Sequence, residues 1–165
     1  MALCPRNDPT RQAENLDSPT YAKFGRLLGI PGCGGLGMSE WVLFIDDERK
    51  PQDLIALLPQ WEYDLKIAPR VSRFLIARNI ADAKALVNRL GWPSFASFDH
   101  DLGSVDGEPL PTGFDFVKWL CEKAMDEDIK INPDFEFIVH SANPVGRDNI
   151  RKYLENFLDS QGHYD

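Results

Sequence analysis

The chain has 165 residues, 43% of them hydrophobic, which fits one domain with a real core. Eighteen basic against 26 acidic residues give a formal charge of -8, which argues against broad binding to duplex DNA or an anionic membrane. Three cysteines (Cys4, Cys33, Cys121) without CxxC spacing indicate neither a disulfide framework nor a zinc site. With no apolar run of membrane-spanning length and no signal-like N-terminus, a cytoplasmic protein is expected.

Residues 1–38 read as an extension, flexible or a docking segment for a protein partner. YAKFGRLLGI (21–30) has the spacing of a short helix, and PGCGGLG (31–37) reads as a linker. A phosphate loop there lacks the Lys-Ser or Lys-Thr that must follow it. Met38 directly precedes the first clear strand, so an alternative start there would still encode the regular part. That part runs over 39–160, with 161–165 as a tail.

WVLFI (41–45) is a continuous apolar run suited to a strand covered on both faces. Pro51 permits a short helix through 53–58, which Pro59 closes. Residues 60–72 are ambiguous. Trp61, Tyr63, Leu65 and Ile67 alternate, which allows an irregular strand or hairpin arm. RFLIA (73–77) reads as the second strand, and Asn79 with Asp82 caps a helix whose inner face is Ile80, Ala83, Val87 and Leu90.

SFASF (94–98) is the third strand, followed by a turn-rich loop, 102–111, long enough to act as a flap. Thr112 and Asp115 form a capping pair for a helix burying Phe114, Val117, Cys121 and Ala124. FEFIV (135–139) is the fourth strand, and Gly146 to Leu158 the last helix, with Ile150, Leu154 and Phe157 inward. Strands alternating with helices predict an α/β fold with a mostly parallel sheet of four to five strands. If the first and third strands are neighbours, their carboxyl ends meet at the switch point where such folds place their chemistry.

Three of these strands break abruptly into polar side chains: Asp46 and Asp47, then Asp99, His100 and Asp101, then His140, Ser141 and Asn143. Clustered carboxylates repel unless a cation, a proton or water relieves them. All-oxygen donors suit Mg²⁺ or Mn²⁺, so Asp46, Asp47, Asp99 and Asp101 are the candidate metal ligands. The plainer alternative has Asp46 or Asp47 capping a turn and Asp101 facing solvent. His140 and His100 are candidate proton carriers, since a histidine titrates near neutrality. In an extended strand, however, His100 points away from Asp99, which makes His140 the better placed of the two. Ser141, Asn143, Arg147 and Arg49 are candidate phosphate binders. Arg147 stands in a first helical turn, where a cation opposes the macrodipole and an anion explains it. A salt bridge to nearby acids is the competing role for both arginines.

LFIDDERKP (43–51), SFDHDLG (97–103), TGFDFVKWL (112–120) and VHSANPVGRDNI (139–150) together resemble the cyclic-phosphate processing receiver-like family, a divergent branch of the response-regulator receiver fold found in bacterial and phage proteins. The resemblance spans about 40–159. It implies a receiver-like (flavodoxin-like) sandwich in which Asp46 and Asp47 match the acidic pair after the first strand. Asp99 matches the aspartate that ordinary receivers phosphorylate beside Mg²⁺, and Ser141 falls where receivers keep a Ser or Thr. The lysine that ends an ordinary receiver's fifth strand has no counterpart, and His140, Asn143 and Arg147 are not ordinary receiver residues. The resemblance therefore favours direct action on a phosphate ligand over phosphorelay. Two functions follow as expectations: metal-dependent hydrolysis or transfer of a cyclic phosphate on a nucleotide or RNA end, or a non-catalytic module that binds a phosphate ligand or a protein.

Overall fold

The structure is a computed structural model and describes residues 40–164. The expectations for the extension 1–38, including its helix, linker and alternative start, lie outside the described residues. Four parallel strands form the main sheet: β1 (Val42–Ile45), β2 (Phe74–Ala77), β3 (Phe95–Phe98) and, last in the chain, a strand over Glu136–Val139. Between these, the loop after β3 folds into a two-stranded antiparallel hairpin, β4 (Ser104–Val105) and β5 (Glu108–Pro109), so the final strand is β6. Sheet order is β2-β1-β3-β6, which makes β1 and β3 neighbours as the switch-point expectation requires.

Alternation along each strand divides the core in two. Val42, Phe44, Phe74, Phe95 and Ile138 face one side, where Leu54 and Ile67 cover them. Phe98 belongs to the other side, against Phe116. That side takes three regular helices: α1 (Ile80–Leu90), α2 (Gly113–Met125) and α3 (Pro144–Ser160). Their buried stripes are Ala83, Leu86 and Val87; Phe116, Val117, Leu120 and Cys121; and Ile150, Leu154 and Leu158. The expected stripes are therefore rotated slightly: Phe114, Ala124 and Phe157 are only half-buried, while Phe116, Leu120 and Leu158 are fully inside. Burial pushes the Cys121 thiol up to about 12, which keeps it a protonated, packing side chain.

The ambiguous stretch 60–72 is helical over most of its length, neither strand nor hairpin arm. A 3-10 turn at Pro51–Ala56 is followed by a helical turn at Gln60–Glu62, a wider π turn at Tyr63–Ile67 and a second 3-10 turn at Ala68–Arg70. Prolines at 51, 59 and 69 prevent one long regular helix. The period-two pattern that suggested a strand consists of two pairs spaced four apart. Trp61 and Leu65 lie outside, whereas Tyr63 and Ile67 turn inward. In the 102–111 loop, Asp106 and Gly107 both have positive φ (53° and 83°), the geometry of a tight hairpin turn.

The expected helix caps form. The Asn79 side chain accepts from the Asp82 amide, and Thr112 and Asp115 satisfy each other's backbone N–H. The start of α2 is pressed against the end of β3: the Gly113 amide donates to the His100 carbonyl at 2.8 Å. A Cβ on Gly113 would sit 1.9 Å from the Asp99 carbonyl oxygen. In an open helix, glycine to alanine gains about 0.5–1 kcal/mol. Here the clash with backbone decides the sign, and Gly113→Ala is expected to cost about 1–3 kcal/mol. Chemical denaturation measures this, and an unchanged or raised midpoint would refute the close approach.

Candidate functional site

Three of the four main strands deliver the same position to one spot. Ile45 pairs with Phe98 and Phe98 with Val139, so the residues just beyond them, Asp46, Asp99 and His140, lie side by side. Backbone bonds extend the ladder that far: the Asp99 amide donates to Ile45 and the His140 amide to Phe98, both at 2.9 Å. Residues two apart share a face, so these three sit above Phe44, Ser97 and Ile138. All three are buried, and one donor atom from each lies within 4.8 Å of the others.

Asp46 organises the turn after β1. Its Oδ1 accepts the amides of Glu48 (2.8 Å) and Arg49 (2.5 Å). Its Oδ2 accepts from His140 Nε2 at 3.1 Å and from Arg49 Nη1 at 3.4 Å. The same Nη1 reaches Asp99 Oδ2 at 3.2 Å, so one guanidinium nitrogen bridges both carboxylates. From β2, Arg78 Nη1 donates to the Asp46 carbonyl (2.9 Å) and the Arg49 carbonyl (2.5 Å) and pins the turn. Burial pushes the Asp46 carboxyl up, but the bonds from His140, Arg49 and Glu48 outweigh it and hold the group at about 2. Asp47 goes the other way: burial raises it, and the charges of Asp46, Glu48 and Asp99 add to the rise.

His140 uses both ring nitrogens. Nε2 faces Asp46, and Nδ1 lies 2.7 Å from Ser97 Oγ. An ionised Asp46 only accepts, so Nε2 carries the proton that faces it, an assignment made from the partners. The ring stacks on Phe44 at 4.9 Å between centroids and 8° between planes. Ser97, His140 and Asp46 are thus linked like a hydrolytic triad, yet Ser97 is completely buried within β3 and offers no nucleophile to a ligand. Sequence reasoning missed Ser97 and Arg78. Ser97's signal was its place two residues before Asp99, and Arg78's was its place one residue beyond β2.

The remaining candidates lie elsewhere around this row. β3 ends at Phe98 and the chain turns after Asp99, so Asp101 does not share the face of Asp46 and Asp99 as a continued strand would require. It is exposed and bonds His100 Nδ1 at 2.8 Å. The His100 ring packs over Gly146 in the first turn of α3, where a Cβ would come within 2.3 Å of it. The ring makes no hydrogen bond to Asp46 or Asp99, whereas the His100 amide donates to Asp99 Oδ1 at 2.7 Å. The Asp47 carboxylate is turned toward Gly103, whose φ is +84° and whose Cβ would lie 3.1 Å from Oδ2. Ser141 is buried, and its Oγ accepts the Asn143 amide at 3.2 Å. Asn143 caps α3 by accepting the Gly146 amide at 2.9 Å. The half-buried Arg147 side chain makes no hydrogen bond or ion pair among the described residues. Thr112 and Gly113 serve as cap and close contact.

A depressed Asp46 stabilises the fold only while it is ionised. Its carboxyl falls from 3.8 to about 2 on folding, worth about 2 kcal/mol. That contribution is fully present above the unfolded value and is lost as pH falls through the folded one. Between about pH 5 and pH 2 the wild type should therefore lose about 2 kcal/mol more than Asp46→Asn in denaturant titrations. Equal losses in the two proteins would show that another group drives acid unfolding.

The family model of the cyclic-phosphate processing receiver domain matches residues 41–156. No curated protein and no solved structure matches the chain. Among the described residues, no helix is long and apolar enough to cross a membrane. The parallel four-stranded sheet with flanking helices is receiver-like, of the flavodoxin-like α/β class. The matched span runs from β1 into α3, holds every residue of the strand-end cluster and covers well over half of the chain, so this protein belongs to the cyclic-phosphate processing receiver domain family.

Proposed function

We propose that the strand-end pocket opens or transfers a cyclic phosphate on a nucleotide or an RNA end with the help of a divalent cation. The observation that carries this reading is the buried row of Asp46, Asp99 and His140 with a cationic Arg49 above it. The donors fit Mg²⁺ or Mn²⁺: the Asp46 and Asp99 carboxylates lie in reach of one point, with His140 beside them. Asp46, Asp47 and Asp99 would hold the cation, which supplies charge neutralisation and polarises the phosphoryl oxygens.

The chain's own groups divide the remaining work. Arg49 binds non-bridging phosphate oxygens, for which its fork of donors is suited. Asp99 orients the attacking water, whose oxygen forms a bond to phosphorus as the bond to the leaving ring oxygen breaks and the water's proton passes to that oxygen. His140, with both nitrogens engaged and 2% exposed, supports a positioning role. It keeps a proton at Nε2 and so fixes the direction of the Asp46 carboxylate. Arg147, in the first turn of α3, is available to a ligand reaching across the strand ends.

Turnover of a panel of 2′,3′- and 3′,5′-cyclic mononucleotides, cyclic dinucleotides and 2′,3′-cyclic RNA ends, with Mg²⁺ or Mn²⁺, tests the reading. The expected product is a linear phosphomonoester or diester, and Asp99→Asn should lower the rate by about 10²-fold. A panel left wholly intact sinks it. The alternative is a non-catalytic module that binds a phosphate ligand or a protein, favoured by Arg49's engagement of both carboxylates. Thermal stabilisation by a member of the panel, without turnover, would select that alternative.

A further inference from the structure

Arg49 stands where a cation shared by the two aspartates would have to stand. A single atom, Nη1, lies 3.4 Å from Asp46 Oδ2 and 3.2 Å from Asp99 Oδ2. Asp46 and Asp99 are the two carboxylates in the group of residues that could hold a metal. A divalent ion drawing on the same pair would meet a positive charge at contact distance, so guanidinium and metal compete for one place. The side chain is not locked in. It is 33% exposed, whereas Asp46 and Asp99 beneath it are 0% and 5% exposed. The backbone of Arg49 is held independently, since its amide donates to Asp46 Oδ1 and its carbonyl accepts from Arg78. The guanidinium can swing outward while the turn stays put.

We infer that Arg49 makes this site take up a divalent cation and a phosphate together, as an ion pair, and hold either one alone only weakly. The inference rests on the phosphate-processing reading above and specifies the ligand of the same pocket. A phosphate anion at the mouth offers the guanidinium a partner outside the acid pair, and the oxygens it releases become free for the cation. The cation in turn displaces the guanidinium toward the anion. Such coupling is reciprocal by necessity: whatever factor phosphate adds to cation affinity, the cation adds to phosphate affinity. When no ligand is present, the one guanidinium offsets part of the charge of the Asp46–Asp99 pair.

Mn²⁺ binding to the full chain, followed by electron paramagnetic resonance with and without inorganic phosphate and corrected by a protein-free control, tests this. In the wild type, phosphate should tighten Mn²⁺ binding by about tenfold or more. Isothermal titration of phosphate should show the same factor when Mn²⁺ is added. Arg49→Ala should bind Mn²⁺ more tightly than the wild type without phosphate, and phosphate should no longer add to it. Arg49→Lys, which keeps a charge but not the flat fork, should show reduced coupling; it and the wild-type measurements decide the matter if the alanine variant fails to fold. Wild-type Mn²⁺ affinity that is the same with and without phosphate would overturn the coupling while leaving a metal-dependent site standing. No Mn²⁺ bound by the wild type with phosphate or by a folded Arg49→Ala would overturn both the coupling and the metal-dependent reading.

Discussion

Two carboxylates buried at the ends of neighbouring strands are the constraint to which the rest of this domain answers. At a separation of about 4 Å and an effective dielectric near 20, like unit charges repel by about 4 kcal/mol. Asp46 and Asp99 are ionisable, nearly inaccessible and share a single guanidinium nitrogen. Their charges are compensated locally and from several directions. Arg49 bridges both, His140 donates to Asp46 from β6, and the amides of Glu48, Arg49 and His100 converge on the carboxylate oxygens. Remove any one and the remainder carry a buried charge with too few donors, which costs far more than the intact arrangement contributes.

The sheet order is what makes that convergence possible. Because β1 lies between β2 and β3, the crossover to β2 and the entry of β3 fall on opposite sides of β1, and the strand ends between them are left uncovered by a connection. The helices that follow must then begin very close to the strands they leave. Gly113 lets α2 start against the Asp99 carbonyl, and Gly146 lets α3 start under the His100 ring. Both glycines stand where a side chain would push the helix start away from the cluster. The hydrogen-bonded turn after β1 and the capped start of α3 flank the strand ends.

Much of the fold was legible because its signals are local. Four apolar runs of strand length, the Asn79 and Thr112 caps, and the glycine and proline stops at Gly91 and Pro93 each need only a few residues to act. The stretch 60–72 was not legible in the same way. Its alternating Trp61, Tyr63, Leu65 and Ile67 satisfy strand and helix periodicity alike over so short a window, and prolines on both sides remove the length that would separate them. In the site, the acid pair and His140 were visible as strand-end residues, and so was Arg49. Ser97 was hidden because a serine inside an apolar strand looks like a tolerated small residue. Only the opposing ring shows that its hydroxyl is needed. Asp101 was over-read, since whether it joins Asp99 depends on where the strand stops, and sequence fixes such ends least well.

The DHD triplet shows how parity along a strand sorts chemistry from scaffold. Asp99 and His100 are adjacent, yet one belongs to the cluster and the other to the helix-packing side, because successive side chains leave a strand on opposite faces. The same count, carried across the sheet, explains the cluster's composition. The registers Ile45–Ala77, Ile45–Phe98 and Phe98–Val139 put Arg78, Asp46, Asp99 and His140 in one row, each the first residue past its strand. Read across β2-β1-β3-β6, that row runs cation, anion, anion, imidazole. The two acids stand together in its middle, and the flanking groups address Asp46 alone: Arg78 through its carbonyl and His140 through Oδ2. Asp99 has no flanking cation within the row, and Arg49, from above, is the one positive side chain in contact with it among the described residues. The neutralisation of Asp99 therefore hangs on a side chain that can move. Asp46 is held by groups that cannot easily do so, and a ligand that draws Arg49 away exposes Asp99 first.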